Sequence, residues 1–237
     1  SRLAQRWTLI RDQFISNLFG QNKGLISNGI YARVYLNGQP FGIYNIREHI
    51  DSMYLKQHLG INYPELRETW VQKLGSSASW DTLWTFLWNN EILDSVKYKF
   101  VEDRIDIDNY IDYISFEIFA GNFDWPHNNL FFARNAQGGK WKYILWDVDQ
   151  TFRTYTNHGY NSIEWILRDT VRTDLYDLDE PSYVTSTILP RRLFSNEKFK
   201  EKFINRFTDL LNTVFQTSNT IPLIDSLKNH LANDIPF

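Results

Sequence analysis

The segment from Ile107 to Asp149 constrains this chain more than any other. An apolar-periodic run reaches Ala120 and stops at Gly121, and Asp106 or Asp108 stands before it as a cap, which predicts a helix. The next eight residues, Asn122-Phe123-Asp124-Trp125-Pro126-His127-Asn128-Asn129, carry a proline and a series of Asx side chains and fit neither helix nor strand. Leu130 to Arg134 reads as a strand, Asn135-Ala136-Gln137-Gly138-Gly139 as a turn, and Trp141 to Trp146 as the returning strand. That strand ends in Asp147-Val148-Asp149. A helix, a polar loop and a hairpin in this order bring the loop and the far end of the second strand to one mouth.

The register predicts what meets there. With the turn centred near Gln137 to Gly139, the numbers of opposed residues sum to about 276 or 277, which sets Asn129 beside Asp147. Alternation along the strand puts Asp147 and Asp149 on one face, roughly 7 Å apart. Asp124 lies five residues before Asn129, in the loop that feeds the same end. Two aspartates on one strand face repel each other unless a cation sits between them. Carboxylates and an amide at this density suit Mg²⁺ or Mn²⁺, which hold phosphates through their remaining positions. Turn-capping side chains and a solvated strand end are the plain alternative for each residue taken singly.

Elsewhere the pattern is that of an ordinary folded chain. Residues 2–19 carry Leu3, Trp7, Ile10, Phe14 and Leu18 at helical spacing, with Gly20 as a stop. Ile30 to Leu36, Asn37-Gly38 and Phe41 to Ile46 predict a hairpin. Helices are expected over Glu48 to Leu59, Trp80 to Leu93, Ser95 to Glu102, near 162–168, after Ser195 and over Pro222 to Leu231, with a short strand over Thr69 to Leu74. An acidic stretch holding Asp174, Asp177, Asp179 and Glu180 reads as a solvated loop. The 237 residues suffice for one large domain or two small lobes. Apolar residues at 43% and charged residues at 22% exclude a disordered or fibrous chain. A net charge of −3 gives no reason to expect nucleic-acid binding. Without cysteine there can be no disulfide, thiol nucleophile or thiolate metal site. No apolar stretch is long enough to span a membrane. His49, His58, His127, His158 and His230 show no metal-ligand spacing. Nine Trp among 16% aromatic residues predict a core built on large rings, with an aromatic ligand surface as the alternative. The chain opens at Ser1 with no targeting signal and is expected to be a piece of something longer.

The order of helix, Asp-containing loop, Asn five residues on, hairpin and Asp is the layout in which protein kinases place a catalytic Asp and two metal ligands. Asn122-Phe123 stands where kinases have His-Arg, and Asp147-Val148-Asp149 where they have Asp-Phe-Gly. Neither a G-x-G-x-x-G nor a V-A-I-K motif is present. Asn122-x-Asp124-Trp125-Pro126-x-Asn128-Asn129, followed by Lys142-x-Ile144-Leu145-Trp146-Asp147-x-Asp149-x-x-Phe152, resembles the CotH family of spore-coat protein kinases. Tyr35-Leu36-Asn37-Gly38-x-x-x-Gly42-x-Tyr44-x-x-Arg47-Glu48-x-x-Asp51 and Ile105-Asp106-x-Asp108-Asn109-x-x-Asp112-Tyr113 are similar to it as well, so the likeness covers roughly residues 5–235.

The resemblance implies an α+β, two-lobed, atypical kinase-like fold, with residues 1–75 as the N-lobe and a helix-rich C-lobe over 76–237 around the central hairpin. It implies transfer of phosphate from ATP to Ser or Thr of a protein substrate, a spore-coat or bacterial surface protein, with Mg²⁺ or Mn²⁺. Asp124 would be the catalytic-loop Asp, and Asn129 and Asp147 metal ligands, with Asp149 completing the motif. A basic group must also hold the nucleotide phosphates. Arg47, beside Glu48, and Lys73, just before Gly75-Ser76-Ser77, are the candidates for that ATP-binding role. Two other readings stay open: a glycan-active or glycan-binding domain with a D-x-D metal site, and a non-catalytic surface module stabilised by a cation.

Overall fold

The computed structural model describes residues 9–152, 161–168 and 186–232. Leu3, Trp7, His158 and the acidic stretch 174–180 lie outside the described residues. The fold is a mixture of helices and two small sheets, one of β1 (Gly29–Leu36) with β2 (Gln39–Arg47), the other in the order β4 (Val71–Leu74), β3 (Pro64–Glu68), β5 (Phe131–Asn135), β6 (Lys142–Ile144). Among the described residues no helix is long and apolar enough to cross a membrane.

The first helix, α1, spans Arg11–Gln21 and runs through Gly20 instead of ending there. A methyl on Gly20 would come within 2.8 Å of Ile26, so the glycine serves close packing. The turn out of the helix is made by Lys23 at a positive φ of 62°. β1 (Gly29–Leu36) and β2 (Gln39–Arg47) form the expected hairpin, with Asn37 and Gly38 at φ 51° and 79° as a two-residue turn of that hand requires. The second helix, α2 (Ser52–Leu59), starts four residues later than expected. Asp51 caps it, accepting from the amides of Met53 and Tyr54 at 2.8 and 3.0 Å.

β3 (Pro64–Glu68) was not foreseen, and it precedes β4 (Val71–Leu74). Its charges Glu65 and Arg67 argue against burial in sequence, yet both are buried. The charge of Glu65 is neutralised by an ion pair to Arg134 of β5 at 2.8 Å. β5 (Phe131–Asn135) and β6 (Lys142–Ile144) complete the sheet. Residues 64–74, on the N-terminal side of the expected lobe boundary, thus share a sheet with 131–144. Period-two alternation gives the sheet two buried faces. Leu66, Phe131, Ala133 and Ile144 pack under α2 with Ile50, Tyr54 and Leu55. Phe132 and Tyr143 point into the main core.

That core is helical and rich in rings, as the composition predicts. It is built by α1, α3 (Ala78–Asn89), α4 (Ser95–Glu102), α5 (Ile107–Ala120), α6 (Ser162–Leu167), α7 (Ile188–Phe194), α8 (Glu197–Asn212) and α9 (Thr217–Leu231). Trp80, Trp125, Trp141 and Trp165 are buried, whereas Trp70 and Trp88 are open to solvent. The expected helix over Trp80 to Leu93 stops at Asn89, where Asn90 is extended. α8 is capped by Asn196 and not by Ser195, which closes α7. α9 begins before Pro222 and carries it inside.

Candidate active site

α5 is fixed at both ends. Asp106 accepts from Asn109 N at its start, and Gly121 in the left-handed region turns the chain out at its end. The polar loop that follows is tied down on all sides. Asn122, 1% exposed, donates its side-chain amide to Glu117 Oε2 at 2.8 Å. Its Oδ1 accepts the backbone N–H of Asp124 at 3.3 Å. Asp124 O in turn accepts Asn128 N at 3.1 Å. The indole of Trp165 donates to Trp125 O at 2.8 Å, and the Trp125-Pro126 peptide is cis. Phe123 N and Phe152 N reach Gln150 O and Ala120 O, so the loop is bonded to the chain that leaves the hairpin.

Asn129 and Asp147 meet, but not through the expected ladder. Phe131 faces Ile144 and Ala133 faces Lys142, one to two residues out of the register read from the turn. The ladder ends at Ile144. Asn129 and Asp147 both take positive φ, 58° and 51°, and Asn129 Nδ2 donates to Asp147 O at 3.1 Å. The strand alternation that put Asp147 and Asp149 on one face therefore does not apply. Asn and Asp are the non-glycine residues that adopt this backbone at least cost. Two such positions bonded to each other are the kind of local strain that persists where surrounding structure enforces it.

The electrostatics show which side chains share the mouth. The Asp147 carboxyl is pushed up to about 6, first by burial and then by the negative charges of Asp149, Asp12 and Asp124, with Arg47 opposing. Asp12 was not foreseen. It sits in the first turn of α1, accepts Val148 N at 3.3 Å and pairs with Arg47 at 2.8 Å. Burial raises its carboxyl, while Arg47 and the Val148 amide hold it down. The available signal was its spacing to Ser16, a polar i, i+4 pair on the buried side of an amphipathic helix.

The basic candidates fare differently. Arg47 is at the mouth, 11% exposed, and also donates to Ser27 O at 2.9 Å. Its partner is Asp12 and not Glu48, a correction that follows from the strand: successive side chains point to opposite faces. Glu48 instead accepts from Asn28 and stands 3.1 Å from His58 Nε2. Lys73 pairs with Glu68 at 2.8 Å on β4, three strands across from β6, and the structure does not bring it to the carboxylates. His127 is partly buried, and burial lowers its pKa to about 4, so it is neutral near pH 7.

The donors fit a hard cation: carboxylates and an amide oxygen around Asp147, in a field that excess negative charge makes unfavourable for further anions. Among the described residues no three carboxylate or imidazole groups are gathered closely enough to hold a metal ion by themselves.

In comparisons with known proteins, a family model described as CotH kinase protein matches residues 7–236, nearly the whole chain. No curated protein matches it. The chain belongs to the CotH kinase family.

Proposed function

We propose that this member of the CotH kinase family has a two-lobed kinase-like fold and transfers the γ-phosphoryl group of ATP to a Ser or Thr hydroxyl of a protein substrate, with Mg²⁺ or Mn²⁺. The observation that carries this reading is the meeting of Asp124, Asp147 and Asp149 in one electrostatic field, with Asn129 bonded to Asp147 and Arg47 at the edge. Asp147 and Asn129 would hold the cation. Asn129 Nδ2 is engaged by Asp147 O, which leaves Oδ1 as the ligand atom. Asp149 is the supporting carboxylate. When bound, the cation neutralises charge on the phosphates.

Asp124 orients the acceptor hydroxyl and takes its proton as the new O–P bond forms and the bond to the β-phosphate oxygen breaks, with ADP leaving. Arg47 binds phosphate oxygens, and Asp12 keeps its guanidinium in place. Positioning and charge neutralisation supply most of the rate. Lys73 and Glu48 have no part in the chemistry. Mg²⁺ is usually held by one or two carboxylates together with the phosphates it accompanies, which suits Asp147 with Asn129 beside it.

Asp124→Asn keeps the shape of the loop and removes the basicity. It is expected to bind Mg-ATP nearly as the parent does and to lose at least about 10²-fold in kcat. The assay follows label from γ-labelled ATP into a Ser/Thr-rich test protein or into the chain itself. A parent chain that transfers no phosphate with either metal overturns the kinase reading. An Asp124→Asn variant as fast as the parent overturns the role of that residue.

A further inference from the structure

Glu117 is a carboxyl group that the reaction above does not use, and it is 1% exposed in the middle of the main core. A buried carboxyl is costly unless its hydrogen bonds are made. Glu117 stands on the last turn of α5, one turn after Tyr113, and both face inward. Its Oε2 receives the side-chain amide of Asn122 at 2.8 Å, and its backbone carbonyl receives Asn122 N at 3.2 Å. Asn122 is therefore held at two points by one residue.

The consequence lies two residues further on. A carboxamide has one accepting end and one donating end. The bond to Glu117 turns the NH₂ end of Asn122 away from the loop and its Oδ1 toward it, and that oxygen accepts the Asp124 amide at 3.3 Å. We infer that Glu117 is a positioning residue for the Asp124 loop: through Asn122 it fixes the backbone from which the Asp124 side chain projects. The inference rests on the kinase reading for its effect on turnover, but not for its effect on the loop.

The protonation state agrees with this role. Burial above all, assisted by Asp12, lifts the Glu117 carboxyl to about 8, against the bond from Asn122 that lowers it. Near pH 7 the group is a neutral acid, with one oxygen to accept and one proton to donate. Glutamine has the same shape and the same accepting oxygen, whereas leucine has the shape alone.

The test compares Glu117→Gln with Glu117→Leu in the full chain. In Glu117→Leu the Asn122 amide loses its acceptor, can rotate, and no longer fixes the Asp124 amide. Hydrogen exchange of the amides from Asn122 to Asn129 is expected to quicken by about 3- to 10-fold, the factor that one net hydrogen bond carries. The value of kcat is expected to fall at least about 10-fold, with KM for Mg-ATP within about 2-fold of the parent, because misplacement of a reacting group acts in the transition state. Glu117→Gln is expected to restore the slow exchange and most of the turnover. Should Glu117→Leu fail to fold, Asn122→Leu removes the bond to Glu117 from the other side, and the bond to the Asp124 amide with it, and carries the same expectations. Slow exchange and parental kcat in the leucine variant overturn the inference, and so does a Glu117→Gln variant as impaired as Glu117→Leu. If the parent chain transfers no phosphate, the kinase reading falls and the exchange measurements alone decide this one.

Discussion

The chain contains two hairpins whose turns are equally plain in sequence, and the fold treats them in opposite ways. The β1–β2 hairpin stands as a two-stranded sheet with large apolar side chains in solvent, Ile30 at 67% and Ile46 at 56% exposure. The β5–β6 hairpin is the end of a four-stranded sheet and is itself buried on both faces, with Ile144 at 0% on one and Phe132 at 1% on the other. The first is held by its turn and its cross-strand pairs, the second by what packs on it. The second also carries the backbone strain, at Asn129 and Asp147, and the unbalanced negative charge. Strained and charged positions persist where packing over-determines the backbone. The lightly packed hairpin contributes Arg47 at its base.

The largest expected effect strikes the buried hairpin at its charged end. Asp147→Ala should remove metal-dependent ATP binding, with the circular dichroism of the parent retained. Titration calorimetry with Mg-ATP checks this, and parental affinity would sink the assignment. The pH dependence follows from the same residue. In the parent, protons occupy the Asp147 carboxyl below about 6, so Mg-ATP affinity should fall as pH drops through that value. Without ligand the linkage runs the other way. Between 3.8 and about 6 the folded chain keeps a proton that the unfolded chain has released. Stability contributed by this group therefore falls as pH rises through that window, and Asp147→Ala should flatten the trend in urea melts.

Next come the packed faces. Ile144→Ala opens a cavity under α2 and should cost about 2–5 kcal/mol in urea unfolding. Ile46→Ala, on the exposed face of the first hairpin, should stay within about 0.5 kcal/mol. Equal losses would mean that the two hairpins are packed alike in solution, and the comparison would fail.

The smallest expected effect on binding is at the point where the first hairpin reaches the mouth. Arg47→Ala should lower the ratio of ATP to adenosine affinity by roughly 10-fold, what a charge-assisted bond to phosphate is worth. It also leaves Asp12 without its counter-charge, at a cost of up to roughly 3 kcal/mol. An unchanged affinity ratio together with reduced stability would make the Arg47–Asp12 pair purely structural.

Much of this molecule is determined by neighbours in sequence. The turn at Asn37-Gly38 needs two positive φ angles, which asparagine and glycine supply. The cap at Asp106, the stop at Gly121 and the loop broken by Pro126 are likewise local, because each rests on backbone groups within a few residues. So the order of helix, loop and hairpin, and the arrival of Asp124, Asn129 and Asp147 at one mouth, could be read from the chain alone. The register could not, since β5 aligns on β3 as well as on β6, and β3 is recognisable as a strand only once Arg134 neutralises Glu65. The partner of Arg47 could not either. It is Asp12, 35 positions earlier, brought in by α1, while the adjacent Glu48 faces away. Burial is the common reason: charge pairing and strand alignment at depth are set by whichever group replaces water there, and that group comes from a distant part of the chain.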